Sequence, residues 1–225
     1  NHFQIKKPLV SYHQHNHVTA GRAILDRLLN GESCALVTDA GTPAISDPGE
    51  ELVRLCAENG VEVLSIPGCC AAVNALAVSG LPTGRFTFEG FLSVNKKARR
   101  EHLASLLDEE RTMIFHEAPH KLLTTLEDLS AAFGPDRPVA LCRELTKLHE
   151  EVLRFTLAEA VSYYEENAPK GEYVLVVAGA APKTGAVVTL EDGVAQVLAL
   201  KEQGMRLKDA AKEVAEHTGL SKNEL

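Results

Sequence analysis

One segment constrains the fold of this chain more than any other: a loop of small and rigid residues between an apolar run and a helix start. The run covers residues 34–37 and is wholly apolar, which is typical of a strand buried on both faces of a parallel sheet. The loop ends at Asp47, a suitable N-cap, and Pro48, a suitable first helical residue. About ten residues lie between strand and cap, whereas such connections usually need about two to six. Open α/β sheets bind ligands at the carboxyl ends of their strands, so the loop is predicted to be a ligand site.

Strands and helices are predicted to alternate along the chain. In the first part we expect helices at 21–29, 48–59 and 71–79, and strands at 34–37 and 61–66. This order implies a parallel sheet, and the Gly- and Pro-rich segment 80–84 separates an N-terminal α/β domain, 1–80, from a second α/β domain, 84–179. The second domain is predicted to hold strands at 86–91, 113–115, 139–142, 151–155 and 173–177 and helices at 98–107 and 119–132.

A helical tail is expected to follow a linker at 180–185. Apolar stripes predict two short helices in the tail, 186–225, at 190–203 and 207–217. Their spacing is similar to a helix-turn-helix, although two such helices are more often a packed hairpin. Acidic residues outnumber basic ones here, which argues against strong independent binding of nucleic acid by the tail.

The composition is that of an ordinary globular protein. Hydrophobic residues make up 45% and charged residues 24% of the chain, and no apolar stretch is long enough to cross a membrane. The five cysteines are odd in number and lie mostly in apolar surroundings, which indicates reduced thiols in a cytoplasmic protein. We expect no metal site, because the alternating His13, His15 and His17 have no cysteine or carboxylate nearby.

Two common nucleotide motifs are absent. There is neither a G-x-G-x-x-G fingerprint nor a G-x-x-x-x-G-K-[ST] loop. The loop at 39–49, however, reads D-A-G-T-P-A-I-S-D-P-G. Further ordered segments follow it: S-I-P-G at 65–68, S-G-L-P-T at 79–83, F-E-G-F-L at 88–92, E-A-P-H-K-L at 117–122, R-E-L-T-K at 143–147 and K-G-E-Y-V at 170–174.

Together these segments resemble the small-subunit ribosomal RNA ribose methyltransferases of the tetrapyrrole methylase superfamily. The resemblance covers nearly the whole chain. It implies two α/β domains with a cleft between them, S-adenosyl-L-methionine folded into that cleft, and methylation of a ribose 2′-hydroxyl, that of a cytidine, in small-subunit ribosomal RNA. It also implies a homodimer.

The resemblance implies which residues contact the methyl donor. Asp39, Ala40 and Gly41 correspond to the family's first donor loop, with Cys70 and Ala71 in the second. The same first loop offers the hydroxyls of Thr42 and Ser46, and His116 follows a predicted strand, where the family commonly has an aromatic residue. The family's opening strand, with a Pro-Ile-Gly-Asn-Leu loop, has no counterpart in the sequence, so we expect the first domain to lack it.

Methyl transfer to a ribose requires removal of the proton from its 2′-hydroxyl, which is a very weak acid. Alignment of the two reactants supplies much of the rate, and a base or cation near the oxygen supplies more. We expect Lys147 or Glu144 to act on the hydroxyl, Arg143 to bind a phosphate or a structural carboxylate, and Glu117 to have a supporting role. The alternative is that Arg143 and Glu144 form a structural ion pair.

The net charge of −8 argues against broad adhesion to nucleic acid, but a local patch can act alone. Four cations lie within five residues, Lys96, Lys97, Arg99 and Arg100, and we predict that they contact RNA phosphates. Two other functions stay open at this point. One is a tetrapyrrole (corrin or uroporphyrinogen) methylase with the same donor cleft, and the other is a noncatalytic RNA-binding protein.

Overall fold

The computed structural model describes residues 4–181 and 189–224, and the chain divides into two compact units, Asn1–Gly179 and Ala180–Leu225. The first unit is built on a five-stranded sheet in the order β1-β2-β5-β3-β4. The strands are β1 (Phe86–Phe91), β2 (Thr112–Glu117), β3 (Pro138–Arg143), β4 (Glu151–Thr156) and β5 (Tyr173–Val177). The predicted α/β class is confirmed.

The strand directions place three carboxyl ends at one edge of the sheet. β1 and β2 are parallel, and β5 is antiparallel to both β2 and β3. β3 therefore runs in the same direction as β2. Its last residue, Arg143, and the last residue of β2, Glu117, both pair with Tyr173, the first residue of β5. Residues that follow β1, β2 and β3 consequently meet at this carboxyl edge.

Helices cover both faces of the sheet. Helix α3 (Ala71–Ser79) packs through Ala72, Ala75 and Leu76 on one face. Three helices pack on the other face: α4 (Lys96–Ser105), α5 (Leu122–Phe133) and α6 (Leu157–Glu166). A short 3-10 turn, Pro119–Lys121, leads from β2 into α5. The sheet thus has two separate apolar interfaces, one on each face.

Successive side chains of β2 point to opposite faces of the sheet and so belong to different apolar interfaces. Ile114 belongs to the α3 interface, whereas Met113 and Phe115 belong to the interface with α4, α5 and α6. Since successive residues of a strand point to opposite faces, His116 lies on the α3 side and Glu117 on the other side. This one-residue difference separates two groups of functional candidates.

The two strands predicted in the first part of the chain are wrong. Residues 34–37 and 61–66 have no strand hydrogen bonds, and Val37 and Ile66 are 75% and 85% exposed. An apolar run forms a strand only when a neighbouring strand pairs with it, and no described residue does so here. The parallel sheet inferred for residues 1–80 therefore has no counterpart in the structure.

Two helices pack against each other in this region. They are α1 (His17–Leu29) and α2 (Glu50–Glu58), joined by Ile24, Leu52 and Cys56. The helix predicted at 21–29 begins earlier, at His17, where Asn16 closes a turn back to His13. The three histidines that alternate in the sequence therefore do not share one extended segment, because His15 lies in the turn and His17 is the first residue of α1.

The expected start of the second helix is also wrong. Helix α2 begins at Glu50 with Gly49 as N-cap, so Asp47 does not cap it. The backbone at Gly49 has a φ of +152°, and an added Cβ would lie 2.7 Å from Leu36 Cδ2. The left-handed backbone and the close approach of Leu36 and Ala44 both favour glycine at this position.

The second unit contains α7 (Leu190–Glu202) and α8 (Leu207–Thr218). Val197 of α7 packs with Ala210, Ala211 and Val214 of α8. Thr189 and Asp192 form a reciprocal capping box at the start of α7. The predicted helical tail is confirmed, while the linker residues 182–185 lie outside the described part of the chain. Across the described residues, no helix is long and apolar enough to cross a membrane.

Candidate functional site

The two loops predicted to hold the methyl donor are joined in the structure. Thr42 Oγ1 donates a hydrogen bond to the carbonyl of Cys69, 3.0 Å away, and so ties the loop 39–49 to the segment before α3. Ser46 lies beside the end of β1, since a Cβ at Gly90 would be 4.0 Å from Ser46 Oγ. Residues far apart in the sequence thus converge near the carboxyl edge of the sheet.

The backbone of the first loop is unusual. Ala44 and Ser46 have φ values of +66° and +60°, a region that residues with side chains rarely adopt. Such conformations cost about 1–3 kcal/mol each and cluster at ligand sites. Gly41 has a φ of +77°, and a Cβ added there would meet nothing within 4 Å. The loop therefore presents bare backbone to open space at Gly41, next to the exposed Asp39 and Ala40.

The second loop leads directly into α3. Cys70 is the N-cap of this helix and is half-buried, and Ala71 is its first residue. Asn74 Nδ2 donates to the Cys70 carbonyl over 3.0 Å, which fixes the backbone at the start of the helix. The structure thus brings Cys70 and Ala71 to the same region as Thr42.

His116 lies on the α3 side of β2, between two aromatic rings. Its ring centroid is 5.1 Å from that of Phe88 and 5.5 Å from that of Phe91, with edge-on geometry at both. His116 Nε2 is buried and has no hydrogen-bond partner among the described residues. Burial lowers the pKa of His116, against the opposing charges of Glu172 and Asp47. The imidazole is therefore neutral at pH 7, with one nitrogen available to a ligand.

Replacing His116 with phenylalanine should make the protein more resistant to acid. Below pH 6.5, the ordinary pKa of histidine, the unfolded chain binds a proton that the folded site rejects, so the native protein loses stability as the pH falls. His116→Phe removes this loss. Urea unfolding from about pH 8 to pH 5.5 should show a growing advantage of the variant, with His149→Phe as the matched change at an exposed histidine. A constant difference would contradict the buried neutral imidazole.

A second group lies in the loop after β3. Lys147 Nζ is 3.0 Å from Glu144 Oε1 and 3.2 Å from Glu172 Oε2, and the Glu172 amide donates to Glu144 Oε1 over 3.0 Å. Glu144 and Thr146 have φ values of +50° and +66°. A Cβ at Gly171 would lie 2.5 Å from Glu144 Cγ, so the glycine leaves room for the Glu144 side chain. This packing holds Lys147 over the start of β5.

Ion pairing fixes the protonation states of this group. The Glu172 amide and Lys147 lower the pKa of Glu144, while hydrogen bonds to Glu144 and Glu172 raise the pKa of Lys147. At neutral pH Lys147 is therefore an ammonium ion, about half exposed, and Glu144 is a carboxylate. Lys147 can stabilise negative charge but is a poor proton acceptor.

Arg143 has a different partner from the one considered in the ion-pair alternative. Its Nε lies 3.3 Å from Glu151 Oε2 on β4, and its closest carboxylate contact is thus across the sheet and not with Glu144. Of the two roles predicted for Arg143, the structure provides the structural carboxylate. Its role toward a phosphate stays a prediction.

Glu117 lies on the opposite face of the sheet from His116 and is 3% exposed. Its carboxylate accepts hydrogen bonds from Thr125 Oγ1 at 2.6 Å and from the Ala118 amide at 2.8 Å. Arg99 in turn donates to Thr125 Oγ1 over 2.9 Å and to Asp128 over 2.5 Å. Glu117 therefore joins β2 to α4 and α5, and its supporting role in the reaction stays a prediction.

Removing the Thr125 hydroxyl should destabilise the protein. Thr125→Val leaves the buried Glu117 carboxylate without one of its donors, which should lower the free energy of unfolding by about 1–3 kcal/mol. The neighbouring Thr124 is exposed, so Thr124→Val is the matched control and should change little. Denaturant unfolding of both variants measures the difference. Equal free energies of unfolding for the two variants would show that the Thr125 hydroxyl adds no net stability.

The four cations predicted to contact RNA, within residues 96–100, differ in their exposure. Lys96, Lys97 and Arg100 are exposed on the first turns of α4. The Arg99 side chain is only 13% exposed and is engaged by Asp128, which leaves the predicted phosphate contacts to the other three cations. Asn95 Oδ1 already accepts the amides of Lys97 and Ala98 at the helix start.

Three functional candidates were missed by sequence reasoning. Glu172 forms an ion pair with Lys147, and its negative charge also acts on His116. Phe88 and Phe91 flank the imidazole of His116. Alternation along the predicted strand 86–91 could have suggested which phenylalanine faces the site, but only the pairing of β1 with β2 identifies His116 as its neighbour. Among residues 4–181 and 189–224, no group of three or more His, Cys, Asp or Glu side chains is arranged to hold a metal ion.

Comparison with protein families identifies two matching segments. Residues 1–161 match the model of the Tetrapyrrole (Corrin/Porphyrin) Methylases. Residues 188–225 match the RsmI C-terminal HTH domain, which corresponds to the second compact unit.

Several curated proteins are similar to this chain over its whole length. A Ribosomal RNA small subunit methyltransferase I from Synechocystis sp. is 47% identical over 224 residues, which cover 100% of this chain and 80% of that protein. The protein of the same name from Halalkalibacterium halodurans is 45% identical over 228 residues, covering 100% of this chain and 78% of that protein.

Solved structures confirm the fold. The methyltransferase CobJ superposes with a TM-score of 0.57 at 21% identity, covering 77% of this chain and 74% of that one. Diphthine synthase has a TM-score of 0.54 at 15% identity, with coverage of 76% and 70%. The predicted tetrapyrrole-methylase type of fold, with a helical appendage, is thereby confirmed.

Proposed function

Since this chain belongs to the ribosomal RNA small subunit methyltransferase I family of the tetrapyrrole methylases, we propose that it methylates small-subunit ribosomal RNA. The methyl group comes from S-adenosyl-L-methionine, and the acceptor is a ribose 2′-hydroxyl, of a cytidine. The observation that carries the proposal is the convergence of the Thr42 loop, the Cys70 segment and His116 at the carboxyl edge of the sheet.

The residues of this edge fit the methyl donor. Gly41 exposes backbone next to open space, and the buried Nε2 of His116 lacks a partner among the described residues. The hydroxyls of Thr42 and Ser46 and the backbone of Asp39, Ala40, Cys70 and Ala71 provide donors and acceptors for an adenosine and an amino-acid group. S-adenosyl-L-methionine supplies an electrophilic methyl group when it is bound.

Lys147 and Glu144 are proposed to assist the reaction of the ribose hydroxyl. The Lys147 ammonium, whose pKa is raised by its two carboxylate partners, stabilises the negative charge that develops on the ribose oxygen. Glu144 orients Lys147, and the hydroxyl proton leaves to solvent. Glu117 and Arg143 act as positioning residues, through Thr125 and Glu151 respectively.

Methyl transfer from labelled donor to two acceptors, together with a binding measurement, tests this function. Tritium from S-adenosyl-L-methionine should enter purified small ribosomal subunits and should not enter uroporphyrinogen III. Label in the tetrapyrrole alone would favour the tetrapyrrole methylase. RNA binding without any donor binding, measured by calorimetry, would favour the noncatalytic RNA-binding protein.

The helical unit is proposed to help engage RNA without taking part in methyl transfer. Its apolar core is formed by its own two helices, so its removal should leave the donor site intact. Deleting the chain after Gly185 should keep the donor affinity and lower the affinity for small subunits several-fold. Calorimetry and filter binding measure the two quantities. Loss of donor binding would instead make this unit part of the donor site.

The remaining proposals concern assembly and location. We propose that the protein is a homodimer, as the family resemblance implies, and acts in the cytoplasm, where small ribosomal subunits are found. Multi-angle light scattering at micromolar concentration should give twice the mass of the chain, and a monomeric mass would contradict the dimer.

A further inference from the structure

We infer that a cavity between α4 and α5 binds a backbone phosphate of the RNA substrate. The cavity measures about 570 Å³ and lies between the segment 92–100 and the segment 120–128. It is on the face of the sheet opposite His116, and it is therefore separate from the proposed donor site. The inference rests on the proposed function, because it names the part of the substrate that this surface takes.

The charge of the cavity suits an anion. Lys96, Arg100, His120 and Lys121 line it. The carboxylate of Asp128 also lines it but is paired with Arg99 at 2.5 Å. Among the described residues, Lys96, Arg100 and Lys121 form no ion pair within 4.0 Å, so their charges are available to a ligand. This is a local cationic site on a chain with a net charge of −8.

Hydrogen bonds connect the elements that form the floor of the cavity. Arg99 and Thr125 connect α4 with α5, and Thr125 connects both with the buried Glu117 of β2. Lys96 and Arg100 of α4 and Lys121, in the turn before α5, are consequently carried by elements that these hydrogen bonds join. The start of α4 is already capped by Asn95, so an anion would be bound by side chains and not by free helical amides.

The walls favour a nucleotide over a bare anion. Leu92 and Val94 line the cavity, and Val94 is 79% exposed. An exposed apolar side chain beside the cationic side chains of Lys96, Arg100 and Lys121 can contact a sugar or a base while the cations hold the phosphate. Single-stranded RNA combines these chemical groups along its length.

The position of the cavity relates it to the reaction. His116 and Glu117 are consecutive residues at the end of β2, one facing the proposed donor site and the other facing the cavity floor. An RNA strand that crosses this edge can therefore place a phosphate on one face and a ribose on the other. The phosphate contact would then position the ribose for methylation.

Two charge-matched double variants test the inference. Lys96→Gln with Arg100→Gln removes two cations from the cavity, and Arg22→Gln with Arg54→Gln removes two exposed cations from α1 and α2. With a single-stranded RNA oligonucleotide as probe, the first variant should lose at least about tenfold in affinity. Its slope of log affinity against log salt should flatten by about 0.7, which is the contribution of one phosphate contact on a single strand. The second variant should keep the wild-type slope.

A third variant and a donor measurement separate this inference from the proposed function. Lys121→Gln, on the other wall, should also weaken RNA binding and flatten the slope, by no more than about 0.7 because it contacts the same phosphate. All variants should bind S-adenosyl-L-methionine as the wild type does. An unchanged slope in the cavity variants, or an equal change in both double variants, overturns the inference while methyl transfer by the wild type stands. If the wild type transfers no methyl group to small subunits, the proposed function itself fails.

Discussion

Gly41→Val should weaken the binding of S-adenosyl-L-methionine by at least about 30-fold, which corresponds to about 2 kcal/mol. Two effects combine. The backbone at Gly41 has a φ of +77°, which a β-branched residue adopts only with strain, and the space beside its Cβ position is open to a ligand. A side chain there would occupy the approach of the donor. Isothermal calorimetry of the full chain measures the change.

The matched control for this variant is Gly31→Val. Gly31 follows α1, has a φ of +89° and also has nothing within 4 Å of an added Cβ. The substitution brings the same backbone strain at a position outside the proposed site, so donor affinity should stay at the wild-type value. Equal affinities for the Gly41 and Gly31 variants would remove the loop 39–49 from the donor site.

Lys147→Met should lower the rate of methyl transfer by at least about 100-fold and leave donor affinity unchanged. The reason is that the ammonium stabilises charge that develops only during the reaction, and removal of one such group typically costs about 100- to 1,000-fold in rate. Single-turnover transfer to small ribosomal subunits measures the rate, and calorimetry measures the donor affinity. Lys147→Arg, which keeps the positive charge, should recover part of the loss.

The control for Lys147 is Arg54→Met. Arg54 forms an ion pair of similar exposure with Glu58, 2.7 Å away on α2, and lies outside the proposed site. Its replacement should leave the rate of transfer unchanged. If Lys147→Met retains the wild-type rate, the ion-paired loop after β3 is structural and the hydroxyl is handled elsewhere.

The strands of the second predicted domain could be read from the sequence, and those of the first could not. The apolar segments at 139–142 and 173–177 became β3 and β5 because each lies between partners in the sheet. The equally apolar segment at 34–37 has no partner among the described residues. Local hydrophobicity predicts that a segment can be a strand, but pairing depends on distant residues.

One helix was missed although a local signal was present. Helix α6 follows Thr156, whose hydroxyl accepts the Glu159 amide while Glu159 accepts the Thr156 amide. The motif T-x-x-E at 156–159 is the sequence signature of this capping box. The prediction of a strand alone at 151–155 leaves out the helix that this motif indicates directly after the strand.

The site residues show the same limit. The sequence identified the first donor loop and the segment after β3, because unusual glycines, prolines and charges are local features. The opposite faces of His116 and Glu117 could not be predicted, because the predicted strand ends at residue 115, before both of them. The contact of Lys147 with Glu172 spans 25 residues and depends on the glycine at 171. Such contacts follow from the sheet order and not from spacing.

The location of the transferred methyl group tests the account most directly. Small ribosomal subunits labelled with tritiated donor are hydrolysed in alkali, which cleaves RNA only where the ribose 2′-hydroxyl is free. We predict that the label from the wild-type protein is recovered in alkali-stable dinucleotides that carry a modified cytidine, and that Gly41→Val yields almost none. Label in mononucleotides, as expected for a methylated base, would contradict the proposed transfer to a ribose hydroxyl.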